Sequence, residues 1–491
     1  MKKTIMRTDT NDLETSIGSP ADPQSGEGGA ADPRTLSRRR LLLAGAAGGS
    51  LLAGARAAAG ADVKGAAAPR AHSAAATGGR SADQRRLPPG RPHRDYLPVT
   101  VPNGSKLPWK IVDGVKVFHL VAEEVDHELA PGLKVKCWGY NGRVHGPVIE
   151  VMELDRVRIY VTNRLPAPTT IHLHGLLLPN GMDGVGGLTQ KAIPPGETYK
   201  YELTIHQSGT AMYHSHHDEM TQMALGMTGL FVIHPRNPRR RVDRDFAIML
   251  HEWRIDPGAK RPNPNEMLEF NMLTMNGKAF PGTAPLVVRT GQRVRIRLGN
   301  LSAMDHHPIH LHGHQFRIVG TDGGDIEESA QWPETTVLVP TGSTRTIELV
   351  ADEPGDWAMH CHMTHHLMNQ MGHGLPNLIG VDPGQLDEHV RNVVPGYMTM
   401  GQTGMAEMGE MKMPVPANSI STAATKGKHD TITMGGMFTI LKTRDGLRSY
   451  EDPVWYENPP GTLALAAEAA DLRRDGIDVE HPPAVEDQGS G

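Results

Sequence analysis

From about residue 96 the chain is written in short runs where apolar and polar residues alternate, divided by Pro, Gly, Asn and Asp. VIEVMELDRVRIYVTN at Val148–Asn163 and STRTIELVADEP at Ser343–Pro354 are examples. A period of two sends successive side chains to opposite faces of a strand, so each run predicts a half-buried strand. Few stretches carry the 3.6-residue period of a helix. The pattern predicts an all-β protein, with antiparallel strands stacked in a sandwich or barrel.

The runs also repeat. RVRIYVTN at Arg156–Asn163 returns as RVRIRLGN at Arg293–Asn300, and HLHG at His172–Gly175 returns at His310–Gly313. The stretch from Gly196 through Gly209 to His214 matches Gly342 through Gly355 to His360 without a gap, ending in YHSH in one copy and MHCH in the other. Each copy predicts one domain, at about 96–238 and 243–385. The remainder, 386–491, opens with a methionine-rich segment and continues through a probable strand, TITMGGMFTILKTRDG, to a low-complexity acidic end.

The first 95 residues do not fit a core. Ser37-Arg38-Arg39-Arg40 precedes an Ala/Gly/Leu run that Arg56 interrupts, which reads as a twin-arginine export signal rather than a membrane span. The Ala/Gly/Pro/Arg mixture that follows reads as a leader without a core. A periplasmic or secreted protein without stable membrane insertion is therefore expected. The net charge of −5 gives no footprint for nucleic acid, and the cluster Arg236, Arg239, Arg240, Arg241 and Arg244 reads as a solvated linker.

Histidine and methionine are over-represented, at 26 and 25, against 6 Trp, 9 Tyr and 7 Phe. Eight of the histidines form four His-x-His pairs: His172 with His174, His214 with His216, His310 with His312, and His360 with His362. On a strand each pair presents two imidazoles side by side, so two pairs per repeat could surround a cluster of metal ions. Cys361, one of only two cysteines, lies between His360 and His362 and points to the opposite face. A thiolate with two imidazoles and a weak thioether makes a blue-copper electron-transfer site, and Cys361, His307, His366 and axial Met371 supply that set. The competing reading is a disulfide between Cys361 and Cys137, although Cys137 is more simply a buried thiol.

These motifs resemble those of the multicopper oxidases. HLHG, HSH, HPIHLHG and HCHMTHHLMNQM look like the family's four copper-binding motifs, and the resemblance covers residues 130–385. It implies two cupredoxin-like Greek-key sandwiches and four coppers per protomer equivalent. His307, Cys361 and His366, with Met371 axial, would hold the type 1 copper. His172 and His310 would hold the type 2 copper, and His174, His214, His216, His312, His360 and His362 the type 3 pair. Too little chain separates His216 from His307 for a middle domain, so the protein is similar to the two-domain laccases, which implies a homotrimer with trinuclear sites between subunits. In the first repeat the type 1 positions are Thr169, Ser215, Met220 and Leu225, so that copy has no such site.

The resemblance further implies successive one-electron oxidations of a small reducing substrate, such as a phenol, cuprous ion or manganous ion, coupled to reduction of dioxygen to water. Asp183 matches a family position for proton supply. The acid often found after HCH is missing, with Thr364, His365 and Leu367 there instead, and Asp218 or Glu219 could substitute. His365 is also a rival to His366. Two other readings stay open: a copper nitrite reductase, and a copper-binding or storage protein. Met398, Met400, Met405, Met408, Met411 and Met413 read either as a flexible tail or as cuprous ligands that Met220, Met223 and Met368 extend.

Overall fold

The computed structural model describes residues 87–369, 382–395, 417–420 and 425–483. The twin-arginine segment, Met371 and the six tail methionines lie outside these described residues. No helix among them is long and apolar enough to cross a membrane.

The first repeat folds as β1 (Trp109–Val112), β2 (Val115–Ala130), β3 (Leu133–Tyr140), β4 (Ile149–Met152), β5 (Arg156–Asn163), β6 (Thr198–Thr204), β7 (Gly209–His214) and β8 (Thr228–His234). One sheet runs β1-β2-β5-β6 with β3 beside β2, and the other runs β4-β8-β7. Helix α1 (Glu219–Ala224) bridges β7 and β8. β5 shows the alternation the sequence predicts: Val157, Ile159, Val161 and Asn163 are buried and the intervening residues are half-buried. Val157, Ile159 and Val161 join Phe118, Ile171, Tyr213 and Phe231 in one apolar core.

The second repeat comprises β9 (Arg244–Trp253), β10 (Met272–Met275), β11 (Leu286–Arg289), β12 (Gln292–Asn300), β13 (His307–Leu311), β14 (Phe316–Thr321), β15 (Gly324–Asp325), β16 (Pro333–Glu334), β17 (Thr336–Val339), β18 (Ser343–Ala351) and β19 (Gly355–Cys361). A sheet in the order β10-β9-β12-β18-β14-β15 faces one in the order β11-β20-β19-β13-β17. The member β20 (Phe438–Arg444) comes from the C-terminal segment, past helix α2 (Pro383–Val393) and ahead of α3 (Ala469–Asp475). The interval 243–385 expected from the repeat therefore leaves out one strand of this sandwich. Leu441 and Met437 are fully buried in its core.

Most strand pairs among the described residues are antiparallel, as expected, but four are not. β2 with β5, β9 with β12, β4 with β8 and β11 with β20 are parallel pairs. Alternation reports which face a strand buries and says nothing of its neighbour's direction, which the crossover connections set.

β12 departs from the alternation of its counterpart because both its faces are covered. Arg297 donates from Nη1 to Thr210 Oγ1 at 2.9 Å, across to the first sandwich. A Cβ on Gly299 would lie 2.6 Å from Leu230 Cδ2, so the close approach of the two sandwiches there requires glycine. Val99, Met212, Leu230, Ala247 and Met249 form a small apolar cluster at this seam.

Candidate metal centres

Three of the predicted residues meet at one end of the second sandwich. β13 begins at His307, β19 ends at Cys361, and the short 3-10 turn Thr364–Leu367 returns His366 to the thiol. Cys361 Sγ is 3.7 Å from His307 Nδ1 and 3.4 Å from His366 Nδ1, and all three side chains are buried. Burial holds the His307 imidazole down at about 3 and pushes the Cys361 thiol up to about 12. An imidazole kept neutral has a lone pair to give. The thiol gives up its proton only to a strong Lewis acid such as a metal. Ser302 Oγ lies 2.7 Å from His307 Nε2 and orients that ring.

Cys137 is buried elsewhere, in the cluster of Val125, Leu133, Trp253 and Met272, and both cysteines are free thiols. The disulfide reading is thereby set aside. His366 rather than His365 faces the thiol.

The eight imidazoles of the His-x-His pairs form two quartets. In the first, ring centroids of His172, His174, His214 and His216 lie 5.2–6.0 Å apart in five pairings. In the second, those of His310, His312, His360 and His362 lie 4.7–5.7 Å apart. Among the described residues no ring contact joins one quartet to the other. Three of the pairs sit at strand ends, where β7 stops at His214, β13 at Leu311 and β19 at Cys361, and the fourth lies outside the strands with His172 bridged to His214. An end leaves the second imidazole of each pair clear of the ladder.

Backbone oxygens fix which ring nitrogen each of four imidazoles offers. His172 Nδ1 bonds Asp183 O at 2.8 Å, His214 Nδ1 bonds Ser215 O at 2.8 Å, His310 Nδ1 bonds Thr335 O at 2.8 Å and His360 Nδ1 bonds Cys361 O at 2.9 Å. Each of these Nδ1 atoms is thus the N–H donor, and Nε2 carries the lone pair inward. His214 is held down at about 3 by burial, and burial also lowers His174, His312 and His360. Neutral, pre-oriented imidazoles at this density fit copper, which takes nitrogen donors readily.

Of the carboxylates, Asp183 Oδ1 lies 3.4 Å from His172 Nδ1. Glu219, at the start of α1, lies 3.6 Å from His214 Nδ1 and 3.4 Å from His216 Nε2. Asp218, the other sequence candidate, is instead the left-handed N-cap residue of α1.

Two features escaped sequence reasoning. Asp305 Oδ2 is 3.3 Å from His366 Nε2, at the outer edge of the thiol site, and buried Glu252 accepts the Met304 N–H at 2.6 Å beside it. Asp305 is held at about 2 by its hydrogen bond to His366, whereas burial and Asp305 push Glu252 up to about 8. The signal for Asp305 was its place two residues ahead of His307. Where the first sandwich lacks the thiol site, Thr169 Oγ1 and Ser215 Oγ reach Gln222 Oε1 at 2.7 and 2.5 Å, and Gln222 Nε2 donates to Pro168 O at 2.8 Å. Nothing in the spacing marked Gln222.

Models of multicopper oxidase domains match residues 122–238 and 256–378, so that both quartets and most strands of each sandwich are covered. The chain belongs to the multicopper oxidase family. This multicopper oxidase is 26% identical over 369 residues to a probable nitrite reductase–hydroxylamine oxidoreductase fusion protein of Kuenenia stuttgartiensis, covering 71% of this chain and 41% of that one. It is 29% identical over 241 residues to copper resistance protein A of Pseudomonas syringae pv. tomato, covering 39% of each. Its fold is similar to that of a blue copper oxidase from Nitrosomonas europaea, with a TM-score of 0.50 and 28% identity over 67% of this chain and 85% of that one. The chain spans about two fifths of the length of the curated relatives it matches. The two sandwiches are cupredoxin-like.

Proposed function

We propose that this protein is a copper-dependent oxidase that couples four one-electron oxidations of a small reducing substrate to reduction of dioxygen to water. The observation that carries the reading is the buried set His307, Cys361 and His366, whose thiol-bearing residue is bonded through the main chain to two imidazoles of a quartet. Copper bound there and at the quartets would supply the one-electron chemistry and the site for dioxygen. His307, Cys361 and His366, with Met371, are the proposed type 1 ligands. His172 and His310 are the proposed type 2 ligands, and His174, His214, His216, His312, His360 and His362 the type 3 ligands.

The chain's own residues do the rest. The His360–Cys361–His362 peptide gives a short covalent path between the two ligand sets. Asp305, partly exposed and in contact with His366, presents a carboxylate where a substrate cation or phenol hydroxyl would approach. Asp183 holds a proton-accepting oxygen beside His172, and Glu219, 42% exposed, connects His214 and His216 to solvent. Phenols, cuprous ion and manganous ion all fit this entrance; the relative named copper resistance protein A favours cuprous ion.

We further propose a homotrimer in which the first quartet of one copy meets the second quartet of its neighbour, a heterologous contact that closes into a ring. That no ring contact joins the quartets within one copy, among the described residues, supports this. Export through the twin-arginine segment to the periplasm or outside, and domains at about 96–238 and from 243 onward with β20 added, complete the reading.

The test is dioxygen uptake by copper-loaded protein given a phenol or cuprous ion. Uptake in a 1:4 ratio to electrons supports the oxidase. Nitrite reduction without dioxygen uptake would support the nitrite reductase reading, to which the first relative's name points. Copper binding without turnover would support storage.

A further inference from the structure

Beyond β20 the chain touches a core once more, through Trp455 against the cluster of Phe280, Phe438 and Ile440. Residues 445–457 are fastened down: the Tyr456 N–H donates to Asp356 Oδ2 at 2.8 Å and Arg444 Nη2 to Val454 O at 2.8 Å, while Lys442 Nζ pairs with Asp452 Oδ1 at 2.6 Å and Lys428 Nζ with Glu457 Oε2 at 2.9 Å. Past Glu457 only Asn458 and Leu463 still lie against the sandwich, in a groove with Trp357 and Ile432. Residues 458–483 are exposed throughout except for half-buried Asp471 and Leu472, and helix α3 within them buries no residue. Leu465 is 80% and Val479 73% exposed. A two-turn helix does not hold its shape in water by itself, and apolar side chains spaced along an ordered segment mark a contact surface.

A surface that fits lies on the first sandwich. The outer face of its five-stranded sheet holds a groove of about 680 Å³ lined by Trp109, Lys110, Val112, His119, Arg158 and Tyr160. β1 is the outermost strand of that sheet, and its exposed Ile111 and Val112 leave an open edge. The groove's charged lining is basic, with Lys110 and Arg158, of which Arg158 is paired with Glu202 at 2.7 Å. The arm is acidic, with Glu468, Asp471, Asp475, Asp478 and Glu480 against Arg473 and Arg474. Its apolar and acidic side chains complement the groove's aromatic and basic ones.

We infer that residues 458–483 are an exchange arm that docks in the Trp109–Tyr160 groove of a second copy of this chain. No arm residue lines the groove of its own copy. The arm reaches on the order of 60 Å even with its helix, enough to cross to a neighbour. Every copy carries both arm and groove, which is the arrangement a closed ring of identical subunits uses. The choice of a second copy as partner rests on the assembly proposed above.

The test uses the full chain carrying Tyr160→Cys and Leu465→Cys together, the native thiols being buried. Under mild oxidation, interchain disulfide species should form on a non-reducing gel beyond those either single variant gives. Sedimentation of the wild type in parallel separates two failures. A wild-type trimer whose double variant does not cross-link overturns the arm alone. A wild-type monomer at all concentrations overturns the assembly and the arm with it. As a second measurement, Val112→Asp in the full chain should weaken self-association at least about tenfold while leaving each copy's thermal unfolding unchanged, and an unaltered association constant would count against the groove.

Discussion

The thiol of Cys361 and the carboxyl of Glu252 are both displaced by burial towards their protonated forms, with opposite consequences. For Cys361 a bound metal can take the proton's place. Cys361→Ser should therefore abolish the intense visible absorption and substrate oxidation, since that colour comes from thiolate-to-copper charge transfer, while copper analysis still finds the quartet metal. Retained blue colour would show that the sulfur is not a ligand. For Glu252 the charged neighbour is Asp305, another acid, so raising the pH ionises a buried group beside a carboxylate. Its folded value of about 8 lies above the ordinary 4.5, so the folded state binds the extra proton between those limits and stability falls as pH rises through them. Glu252→Gln retains an oxygen for the Met304 N–H and a donor for Asp305. Thermal melts of the metal-free variant should lose most of their decline between pH 5 and 8, with a gain on the order of a few kcal/mol at the upper end. An unchanged pH profile would mean the carboxyl is ionised without cost. The His-x-His pairs and Cys361 were legible in the sequence because ligand spacing is written locally. Asp305 and Gln222 were not, since their contacts are set by loops that fold back from elsewhere.

Among the elements, β5 and β12 have similar sequences and each has one parallel and one antiparallel neighbour, yet they differ in what lies behind them. The repeat and the alternation foretold both strands. They did not foretell that Arg297 and Gly299 of β12 would turn inward, because that face is covered by residues Thr210, Met212 and Leu230 of the other sandwich. β20 was visible as a probable strand, but its place between β11 and β19 was not, since periodicity carries no information about partners separated by a long connection. That placement makes a prediction. Leu441→Ala, far outside the repeat, should destabilise the second sandwich by about 2–5 kcal/mol in denaturant unfolding, as deletion of a fully buried leucine does. A change within about 0.5 kcal/mol would mean that β20 is dispensable.

For the whole molecule, the decisive question is whether a working copper cluster draws on one copy or two. If quartets from different copies combine, a variant lacking the first quartet (His172→Ala with His174→Ala) and one lacking the second (His310→Ala with His312→Ala) are each inactive alone. Mixed after dissociation and reassembly, they should regain oxygen uptake at a substantial fraction of the wild-type rate, because some interfaces then pair two intact quartets. No recovery would place the cluster within a single chain. The same head-to-tail logic bears on how the molecule is made. Thr283 Oγ1 donates to Phe438 O across 155 residues, and β11 pairs with β20 over a similar span. Contacts of such high sequence separation are slow to form, because the loop must close before any pairing rewards it. Until residue 444 has been synthesised, β11 and β19 each stand with an unpaired edge, the state most open to misassociation. The second half of this protein is therefore a late folder by topology, and a chain cut short between Met371 and β20 is an aggregation hazard even though every proposed copper ligand has already been made.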